Sequence, residues 1–427
     1  MHKGDCMDIY IKRLLEDKIQ KTAKSFPVVL VCGPRQVGKT TILEKIKINN
    51  NAKINYISLD NPMDRKLAKE DPSLFLEKYS APLIIDEIQY ATELLPYIKI
   101  IVDKKRLEGL KSNDVQVNGI YYLTGSQMFS LMRNVSESLA GRVGIIDMYG
   151  LSYSEIIGEN QDYFLPTYNQ CKNRQNTKRP NINELYDIIL KGSFPKIYQT
   201  NEDITEKFYS GYIRTYLERD IRDIINIKDE TKFLTFISAL AARTGQELNY
   251  NSISQDVGID NKTAEKWLSI LRTSGLVFLL QPYSNNPTKR IIKTPKMYFT
   301  DTGLACYLAG YSNSDTLEKS ALSGAIFENY VIMEIVKSFV NSGKDPRLYL
   351  SYYRDSNQKE IDLIITINNT VYPIEIKKTK NPNKSMIKNF SVLSGENINI
   401  GEGAIICMIE KILPIDKNNN AIPIQCI

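Results

Sequence analysis

The stretch FPVVLVCGPRQVGKTTILEKIKI, residues 26–48, decides the fold of this chain. A continuously apolar run of strand type leads into a glycine, and a helical pattern follows a second glycine. Residues 33–40 match the motif G-x-x-x-x-G-K-[ST] at every fixed position. In such a loop the backbone amides and the N-terminus of the helix point toward phosphate oxygens. The sequence therefore predicts a loop that holds the phosphates of a nucleotide.

Each fixed residue of this loop has an expected role. Gly33 and Gly38 let the backbone curl around the phosphates. The Lys39 ammonium is expected to reach the β- and γ-phosphates, and the Thr40 hydroxyl is an expected ligand of Mg²⁺. A chance glycine turn is the alternative, and the flanking strand and helix argue against it. Further contacts with the nucleotide are expected from the remaining loop residues Pro34, Arg35, Gln36, Val37 and Thr41.

A second motif, PLIIDEIQ at residues 82–89, ends an apolar strand in two adjacent carboxylates. Asp86 is expected to hold Mg²⁺ opposite Thr40. Glu87 is expected to polarise the attacking water, a general-base role that a carboxylate can fill. An acidic pair that faces solvent at the end of a strand is the alternative. The two motifs together predict a site that binds and hydrolyses ATP.

Two further segments suggest contacts with the reacting phosphate. YYLTGSQ, residues 121–127, ends the next strand in small polar residues. Ser126 is the side chain that we expect to contact the γ-phosphate or the attacking water, and Gln127 and Thr124 are nearly equal candidates. Arg142 opens the following strand, where an arginine is able to neutralise charge that develops on a phosphate. An ordinary ion pair is an equally good interpretation of Arg142.

The composition of the 427-residue chain excludes several kinds of protein. Apolar residues make up 42% and charged residues 24%, an ordinary balance for a globular protein of roughly two to four domains. The longest apolar runs fall short of the roughly 18 residues of a membrane-spanning helix, and the first residues lack the apolar region of a signal peptide. Six scattered cysteines indicate a reducing compartment. We therefore expect a cytoplasmic protein without a membrane partner.

Histidine is almost absent, since the single one is His2. This excludes Ser-His-Asp, Cys-His and histidine–metal chemistry. Catalysis must therefore use carboxylates, lysines, arginines and bound metal. The net charge of +6 permits a nucleic-acid partner without requiring one.

Strand-like and helical runs alternate from residue 26 to 151, which predicts an α/β domain with a parallel sheet. The segments GPRQVGKTT, YISLD, LIIDEIQ, YYLTGSQ, LAGRVGIIDMYGLSYSEI, GSFPKIY, YIRTYLERDI and FENYVIMEI follow in this order across almost the whole chain. Together they resemble the prokaryotic AAA-type P-loop ATPases whose C-terminal half is a domain of unknown function. The resemblance implies a cytosolic ATP-binding protein with ATPase activity. The long polar segment at residues 158–183 departs from the family pattern.

The sequence also predicts a winged helix-turn-helix. A helix over residues 251–257, a turn at Gly258 and a longer helix over residues 262–274 come before two strands that flank a basic loop. A helix with a basic wing is a DNA-docking arrangement, and packing against the ATPase core or another protein is the equal alternative. The basic residues of the wing are Lys289, Arg290, Lys293 and Lys296.

A third group of residues lies inside apolar elements near the C-terminus. Glu328 falls on a predicted helix, Asp362 lies in EIDLII, and YPIEIKK carries Glu375 and Lys377. Because side chains alternate along a strand, Glu375 and Lys377 point to the same side, and a hairpin would bring Asp362 beside them. The pattern resembles the restriction-endonuclease-like core, in which carboxylates hold Mg²⁺ and a lysine orients water. An exposed acid–lysine ladder without chemistry is the alternative. Lysines suited to a phosphate backbone follow at Lys378, Lys380, Lys384 and Lys388.

The favoured interpretation is an ATP-driven switch, in which hydrolysis of ATP with Mg²⁺ repositions the C-terminal region. The alternatives are an ATP-gated, metal-dependent DNA endonuclease and a nucleotide-switched protein-interaction module. DNA and further copies of the chain, in a homo-oligomer, are candidate partners. The expected domains are a P-loop ATPase core with an N-terminal helix (1–157), a polar insertion with a helical region (158–243), a winged helix-turn-helix (244–305) and a nuclease-like α/β domain (306–427).

Overall fold

A computed structural model describes the chain in eight ranges, residues 10–49, 54–111, 116–125, 129–175, 184–216, 230–283, 294–394 and 398–427. Its first sheet has five strands in the spatial order β2-β3-β4-β1-β5, and every pairing is parallel. The parallel α/β sheet expected from the sequence is confirmed. The strands are β1 Val28–Cys32, β2 Asn55–Ser58, β3 Leu83–Asp86, β4 Tyr121–Gly125 and β5 Val143–Asp147.

Strand β1 is buried along its whole length because helices cover both faces of the sheet. Val29 and Val31 belong to one hydrophobic core, whereas Val28, Leu30 and Cys32 belong to the core on the opposite face. This explains why its sequence is continuously apolar and does not alternate with polar residues. The helices of this domain are Glu16–Ser25, Lys39–Asn49, Pro62–Glu70, Pro72–Lys78, Leu94–Gly109 and Phe129–Leu139, with a 3-10 turn at Ile88–Tyr90.

The segment after this sheet is helical, and it differs from the expectation in one place. The polar composition of residues 158–183 indicates a loop or insertion, yet within it the chain forms a helix at Tyr168–Gln175. The Arg174 guanidinium donates to the carbonyls of Asp162 at 2.6 Å and Cys426 at 3.1 Å. Such contacts with distant residues stabilise a helix that its polar composition does not predict. The neighbouring helices are Tyr153–Ile156, Leu185–Lys191, Pro195–Tyr198, Thr205–Tyr216 and Glu230–Ala241.

Two helices joined by a tight turn come next, where the sequence places a helix-turn-helix. Tyr250–Val257 ends at Gly258, whose φ of 69° is the left-handed conformation that favours glycine at a helix C-terminus. Asn261–Thr273 begins after Asp260, whose carboxylate accepts a hydrogen bond from the Thr263 amide. The strands β6 Val277–Leu280 and β7 Lys296–Phe299 follow as an antiparallel pair. We call these elements, residues 249–283 and 294–300, the helix-turn-helix unit.

The C-terminal part contains a second, mixed sheet. Strands β8, β9 and β10 are antiparallel neighbours, and β12 runs parallel to β10. The hairpin expected between Asp362 and Glu375 is present, because Leu363 pairs with Ile374. The strands are β8 Leu350–Arg354, β9 Glu360–Ile367, β10 Thr370–Lys377, β11 Asn399–Ile400, β12 Gly403–Cys407, β13 Leu413–Pro414 and β14 Asn419–Pro423. Helices lie at Thr302–Leu308, Ser314–Lys319, Ser323–Asn341 and Pro346–Tyr349, and 3-10 segments lie at Lys384–Leu393 and Ile424–Cys426.

The long helix Ser323–Asn341 connects the two halves of the protein. Its Lys337 ammonium donates to the Leu151 carbonyl at 2.8 Å, and the Glu334 carboxylate accepts the Tyr153 amide at 2.8 Å. Within the ranges given above, no helix has both the length and the apolar character needed to cross a membrane.

Candidate functional site

The loop of residues 33–38 lies between the carboxyl end of β1 and the helix Lys39–Asn49. A side chain at Gly33 would collide with the backbone carbonyl of Met148, so this position accepts only glycine. Gly38 has a φ of +95°, a conformation that residues with a side chain rarely adopt. The two glycines therefore occupy the positions at which a phosphate-binding loop needs them.

Lys39 lies beneath this loop. Its ammonium donates to the carbonyl oxygens of Gly33 at 3.0 Å and Pro34 at 2.8 Å, and the residue is only 6% exposed. Burial lowers the pKa of Lys39, although the nearby Glu87 carboxylate opposes that shift. Among the described residues, the hydrogen bonds of this ammonium go to neutral carbonyls, so it is available to a stronger, charged acceptor such as a phosphate.

Asp86 gathers hydroxyl groups from three elements at the end of β3. The Thr40 hydroxyl donates to its Oδ1 at 2.8 Å, the Tyr56 hydroxyl donates to its Oδ2 at 3.2 Å, and the Thr124 hydroxyl also bonds to Oδ1. The Thr40 hydroxyl and the Asp86 carboxylate are oxygen donors of the kind that Mg²⁺ prefers, so this donor set fits the ion. Tyr56 was missed from the sequence, because only the strand order places β2 beside β3.

Glu87 directly follows β3 in a left-handed backbone conformation, with φ of +58°. This conformation is uncommon for a residue with a side chain and is often found at functional sites. The Glu87 amide donates to the Thr124 hydroxyl at 3.0 Å, and the Gln89 side-chain amide donates to the Glu87 carboxylate. Thr124 therefore fixes both acidic residues, while Ser126 and Gln127 lie outside the described residues.

Arg142 lies at the amino ends of the parallel strands, whereas the loop lies at their carboxyl ends. This placement corrects the expected role of Arg142 at the phosphate. Its carbonyl accepts the amide of Val28 at the start of β1, whereas the loop follows the end of this five-residue strand, about 17 Å away. The Arg142 guanidinium binds both oxygens of Asp103, at 2.6 Å and 2.8 Å. Within its own chain Arg142 forms an ion pair, the second of the two interpretations.

A buried ion pair supports the loop from behind. The Arg13 guanidinium donates to Glu155 Oε1 at 3.0 Å, to the Val37 carbonyl at 2.8 Å and to the Tyr149 carbonyl at 2.8 Å. Burial alone would raise the pKa of Glu155, but the Arg13 charge holds the pKa below its ordinary value. Sequence reasoning missed both residues, because they lie 142 positions apart.

The other loop residues face in different directions. Arg35 donates to the Tyr90 hydroxyl at 3.3 Å, and the side chains of Gln36 and Thr41 are exposed. Pro34 packs against the helix-turn-helix unit, where a Cβ built on Gly275 would lie 2.9 Å from the Pro34 Cδ atom. The phosphate-binding loop and the helix-turn-helix unit are thus in direct contact.

The C-terminal sheet brings three of its four predicted site residues together. The Lys377 ammonium is 2.8 Å from Asp362 Oδ2 and 2.8 Å from Glu375 Oε2, and the Ile376 amide donates to Asp362 at 2.8 Å. Both carboxylates are almost fully buried. Burial, together with the negative charge of Asp362, raises the pKa of Glu375 to about 8.

The fourth residue, Glu328, binds different partners. Its Oε1 accepts from the Lys296 ammonium at 3.1 Å and from the Tyr298 hydroxyl at 2.6 Å, and burial raises its pKa. In the part of the chain that the structure describes, no three His, Cys, Asp or Glu side chains are arranged to hold a metal ion. The residues as found therefore do not fit the metal centre expected here.

The basic residues expected to contact DNA fall into three groups: buried or half-buried, exposed, and outside the described residues. Lys296 is 3% exposed and bound to carboxylates, so it is not available to a phosphate backbone, which corrects the expectation. Lys378 is half-buried and donates to the Ser323 hydroxyl at 3.2 Å. Exposed lysines are Lys380, Lys384 and Lys388, whereas Lys289, Arg290 and Lys293 lie outside the described residues.

A parallel sheet with this loop and this acidic strand end defines a P-loop protein of the α/β class. Residues 25–157 match the family model of an AAA domain. Residues 182–315 and 323–427 match two domains of unknown function, DUF8612 and DUF4143. The chain therefore contains an AAA domain followed by C-terminal domains of unknown function, which confirms the resemblance found in the sequence. The boundaries of the four expected domains stay a prediction.

Similar proteins extend over most of the chain. An uncharacterized protein of Mycobacterium tuberculosis is 27% identical over 410 residues, which cover 95% of this chain and 82% of that protein. An uncharacterized protein of Haemophilus influenzae is 25% identical over 349 residues, covering 77% of this chain and 78% of its own length. Among solved structures, a Walker-type ATPase of Pyrococcus abyssi is 15% identical and covers 70% of this chain and 96% of that chain, with a TM-score of 0.43.

Proposed function

We propose that this protein binds ATP with Mg²⁺ at residues 33–41, hydrolyses it, and uses the cycle to change the position of its C-terminal region. The observation that carries the proposal is the contact between the two motifs. Thr40, on the helix after the loop, bonds to Asp86 at 2.8 Å, and Glu87 follows directly. The groups proposed to bind phosphate, metal and water thus lie together at the carboxyl ends of the strands.

Each side chain at this edge has a distinct task in the proposed reaction. The Lys39 ammonium pairs with the phosphates, and the Thr40 hydroxyl and the Asp86 carboxylate are the groups that would hold Mg²⁺. When bound, Mg²⁺ neutralises negative charge on the phosphate oxygens. The Glu87 carboxylate accepts a proton from the attacking water. The Gln89 amide positions this carboxylate through a hydrogen bond.

The role of Thr40 gives the test of the metal-binding half of the proposal. Thr40→Val keeps the shape of the side chain but removes the hydroxyl. The ratio of ATP affinity in Mg²⁺ to ATP affinity in EDTA should therefore be about tenfold smaller in the variant than in the wild type. The measurement is an ATP titration in Mg²⁺ and in EDTA. Thr235 is an exposed threonine on the helix Glu230–Ala241, outside the site, and Thr235→Val is the control that should behave as the wild type. An unchanged Mg²⁺ dependence in Thr40→Val would remove the hydroxyl from the site.

The coupling half of the proposal is supported by the contact between Pro34 and Gly275. Pro34 is part of the phosphate-binding loop, and Gly275 is the turn between the helix Asn261–Thr273 and β6. A change in the loop is therefore transmitted directly to the helix-turn-helix unit through packed atoms.

Two glycines of the helix-turn-helix unit make a matched pair for testing this coupling. Gly275 and Gly258 both have left-handed backbones, with φ of +76° and +69°. An added Cβ meets Pro34 at Gly275 and meets nothing within 4 Å at Gly258. Because the backbone cost is similar, we expect Gly275→Ala to change ATP affinity about fivefold or more, and Gly258→Ala to leave it unchanged. Equal effects in an ATP titration would show that the contact carries no coupling.

Metal-dependent cleavage of nucleic acid by the C-terminal sheet is a second candidate function. It is favoured by one observation, the meeting of Asp362, Glu375 and Lys377 on adjacent strands. Glu375 Oε1 is buried and has no hydrogen-bond partner among the residues that the structure describes. Because these residues do not form a metal centre as they stand, we derive no cleavage step from them.

A further inference from the structure

A cleft of about 800 Å³ lies where the first sheet, the helix-turn-helix unit and the C-terminal end of the helix Ser323–Asn341 meet. Strand β5, the outermost strand of the first sheet, and strand β6 both line it. The side chains that these two strands contribute are largely apolar, and Ile145 of β5 is 45% exposed. The cleft therefore opens onto an apolar strand edge.

The pairing of β5 shows which of its backbone groups face the cleft. In the described part of the chain, β5 pairs only with β1. The Val28 amide donates to the Arg142 carbonyl, and the Met148 amide donates to the Cys32 carbonyl, so every second residue from Arg142 onward faces β1. The N–H and C=O of Ile145 consequently point away from β1. Among the described residues, neither group has a hydrogen-bond partner.

Strand β6 has a free edge of the same kind. The Thr300 amide donates to the Leu276 carbonyl at 3.0 Å, so alternate residues from Leu276 onward face β7. The backbone groups of Val277 and Leu279 therefore point away from β7, and they have no hydrogen bond within the described ranges. Unpaired strand edges of this kind are templates for the pairing of another strand.

The charges around the cleft favour a negatively charged occupant. The two carboxylates, Asp147 and Asp345, are both bound by the Arg347 guanidinium, at 3.3 Å and 2.8 Å. Lys18 and Arg272 also line the cleft, and neither forms an ion pair with any residue that the structure describes. Two cations without a counter-charge beside a strand edge are complementary to acidic side chains.

We propose that this cleft binds an extended acidic peptide of a protein partner, which adds to the first sheet as a strand beside β5. The peptide main chain forms hydrogen bonds with Ile145, its acidic side chains pair with Lys18 and Arg272, and its apolar side chains pack on the walls of the cleft. Because side chains alternate along a strand, a sequence that alternates acidic and apolar residues satisfies both requirements. The proposal goes beyond ATP hydrolysis and does not depend on it.

The test measures the binding of two fluorescein-labelled peptides to the full chain without nucleotide, by fluorescence anisotropy. One peptide alternates glutamate and valine over about six residues, the usual length of a strand, and the other has lysine in place of each glutamate. We expect the glutamate peptide to bind at least about tenfold more tightly than the lysine peptide. Equal affinities would overturn the proposal.

A matched pair of lysines tests the charge of the cleft. Lys18→Glu should weaken the binding of the glutamate peptide about tenfold, because an attraction becomes a repulsion. Lys21 is exposed on the same helix, Glu16–Ser25, and does not line the cleft. Lys21→Glu should therefore bind the peptide as the wild type does. Equal weakening in both variants would show a general charge effect and contradict docking in the cleft.

A change at Ile145 tests the backbone pairing. Ile145→Pro removes the N–H that faces the cleft, and an edge strand accepts proline where the N–H is not used inside the sheet. We expect this variant to bind the glutamate peptide about tenfold more weakly, whereas Ile145→Val, which keeps the N–H, should bind it normally. If circular dichroism shows that Ile145→Pro does not fold, the lysine pair decides. Wild-type affinity in folded Ile145→Pro would refute pairing with β5.

A second copy of the chain is the other occupant that an open strand edge admits. Sedimentation of the wild type and of Ile145→Pro distinguishes the two cases. A wild-type dimer that becomes monomeric in Ile145→Pro, without binding of the glutamate peptide, would assign the edge to a second copy and overturn the proposal. Unchanged sedimentation together with binding of the glutamate peptide supports it.

Discussion

Replacing Lys39 with alanine is expected to abolish ATP binding in the concentration range where the wild type saturates. The Lys39 ammonium lies under the loop and donates to two of its carbonyls within 3.0 Å. When ATP binds, the ammonium can exchange these hydrogen bonds for bonds to the phosphates. Charge-assisted hydrogen bonds contribute about 1.5–3 kcal/mol each, so losing those to the β- and γ-phosphates should weaken binding by about a hundredfold or more. The measurement is a calorimetric titration of the folded variant with ATP and Mg²⁺.

Lys47 provides the control for this experiment because it lies on the same helix, Lys39–Asn49. It is half-buried, 3.9 Å from Glu44, and lies about two helical turns farther from the loop than Lys39. Lys47→Ala should bind ATP as the wild type does. Near-wild-type affinity in folded Lys39→Ala would mean that this loop does not hold the phosphates.

Replacing Glu87 with glutamine should leave ATP binding intact and lower turnover by about 10²-fold or more. The amide has the size of the carboxylate but cannot accept a proton from water. The backbone of Glu87, fixed by its bond to Thr124, does not need to change. The measurements are phosphate release at saturating Mg²⁺ and ATP, and an ATP titration of the same sample.

Glu93 is an exposed acidic residue a few positions after Glu87, so Glu93→Gln is a suitable control and should turn over normally. Intact turnover in Glu87→Gln would make Glu87 structural and leave the water to another group. The pair of measurements also separates the ATP-driven switch from an interaction module that only binds nucleotide. In that module, neither variant would have turnover to lose.

The sequence predicts the first sheet and its loop because the signals are local. A strand covered on both faces is apolar at every position, and residues 28–32 show this directly. The contact of Asp362 with Lys377 is predictable for a similar reason, since alternation along a strand and a short hairpin fix both side chains. In each case the elements are neighbours in sequence or carry a motif.

The position of Arg142 relative to its strand was a sequence signal that already argued against a role at the phosphate. It precedes β5, so it lies at the amino ends of parallel strands, whereas the loop of residues 33–38 lies at the carboxyl ends. Direction along the strand therefore excludes Arg142 from the phosphate of its own chain. Its partner Asp103, 39 positions earlier, was not identifiable from the sequence.

Lys296 and Gly275 show what the sequence could not reveal. A basic stretch without acids predicts an exposed wing, but the partners of Lys296 are supplied 32 or more positions later by the C-terminal sheet. The contact of Gly275 with Pro34 similarly depends on how two domains pack. Long-range contacts of this kind change a residue's role without any local signal.

The helix-turn-helix unit touches both candidate sites of the protein. Gly275 packs on Pro34 of the phosphate-binding loop, and Lys296 forms ion pairs with Glu328 and Glu360 of the C-terminal region. Strands β6 and β7 connect these two contacts through their backbone pairing. A movement of this unit during an ATP cycle would therefore reach the C-terminal sheet, which is the physical basis of the switch that we propose.

Phosphate release by the wild-type chain tests the central proposal most directly. The protein is first shown to bind ATP, and release is then measured at saturating ATP in Mg²⁺ and in excess EDTA. We expect steady release in Mg²⁺, none above background in EDTA, and a decrease of about 10²-fold in Glu87→Gln. If the chain binds ATP but releases phosphate in Mg²⁺ no faster than the background rate, the result would contradict hydrolysis at this site.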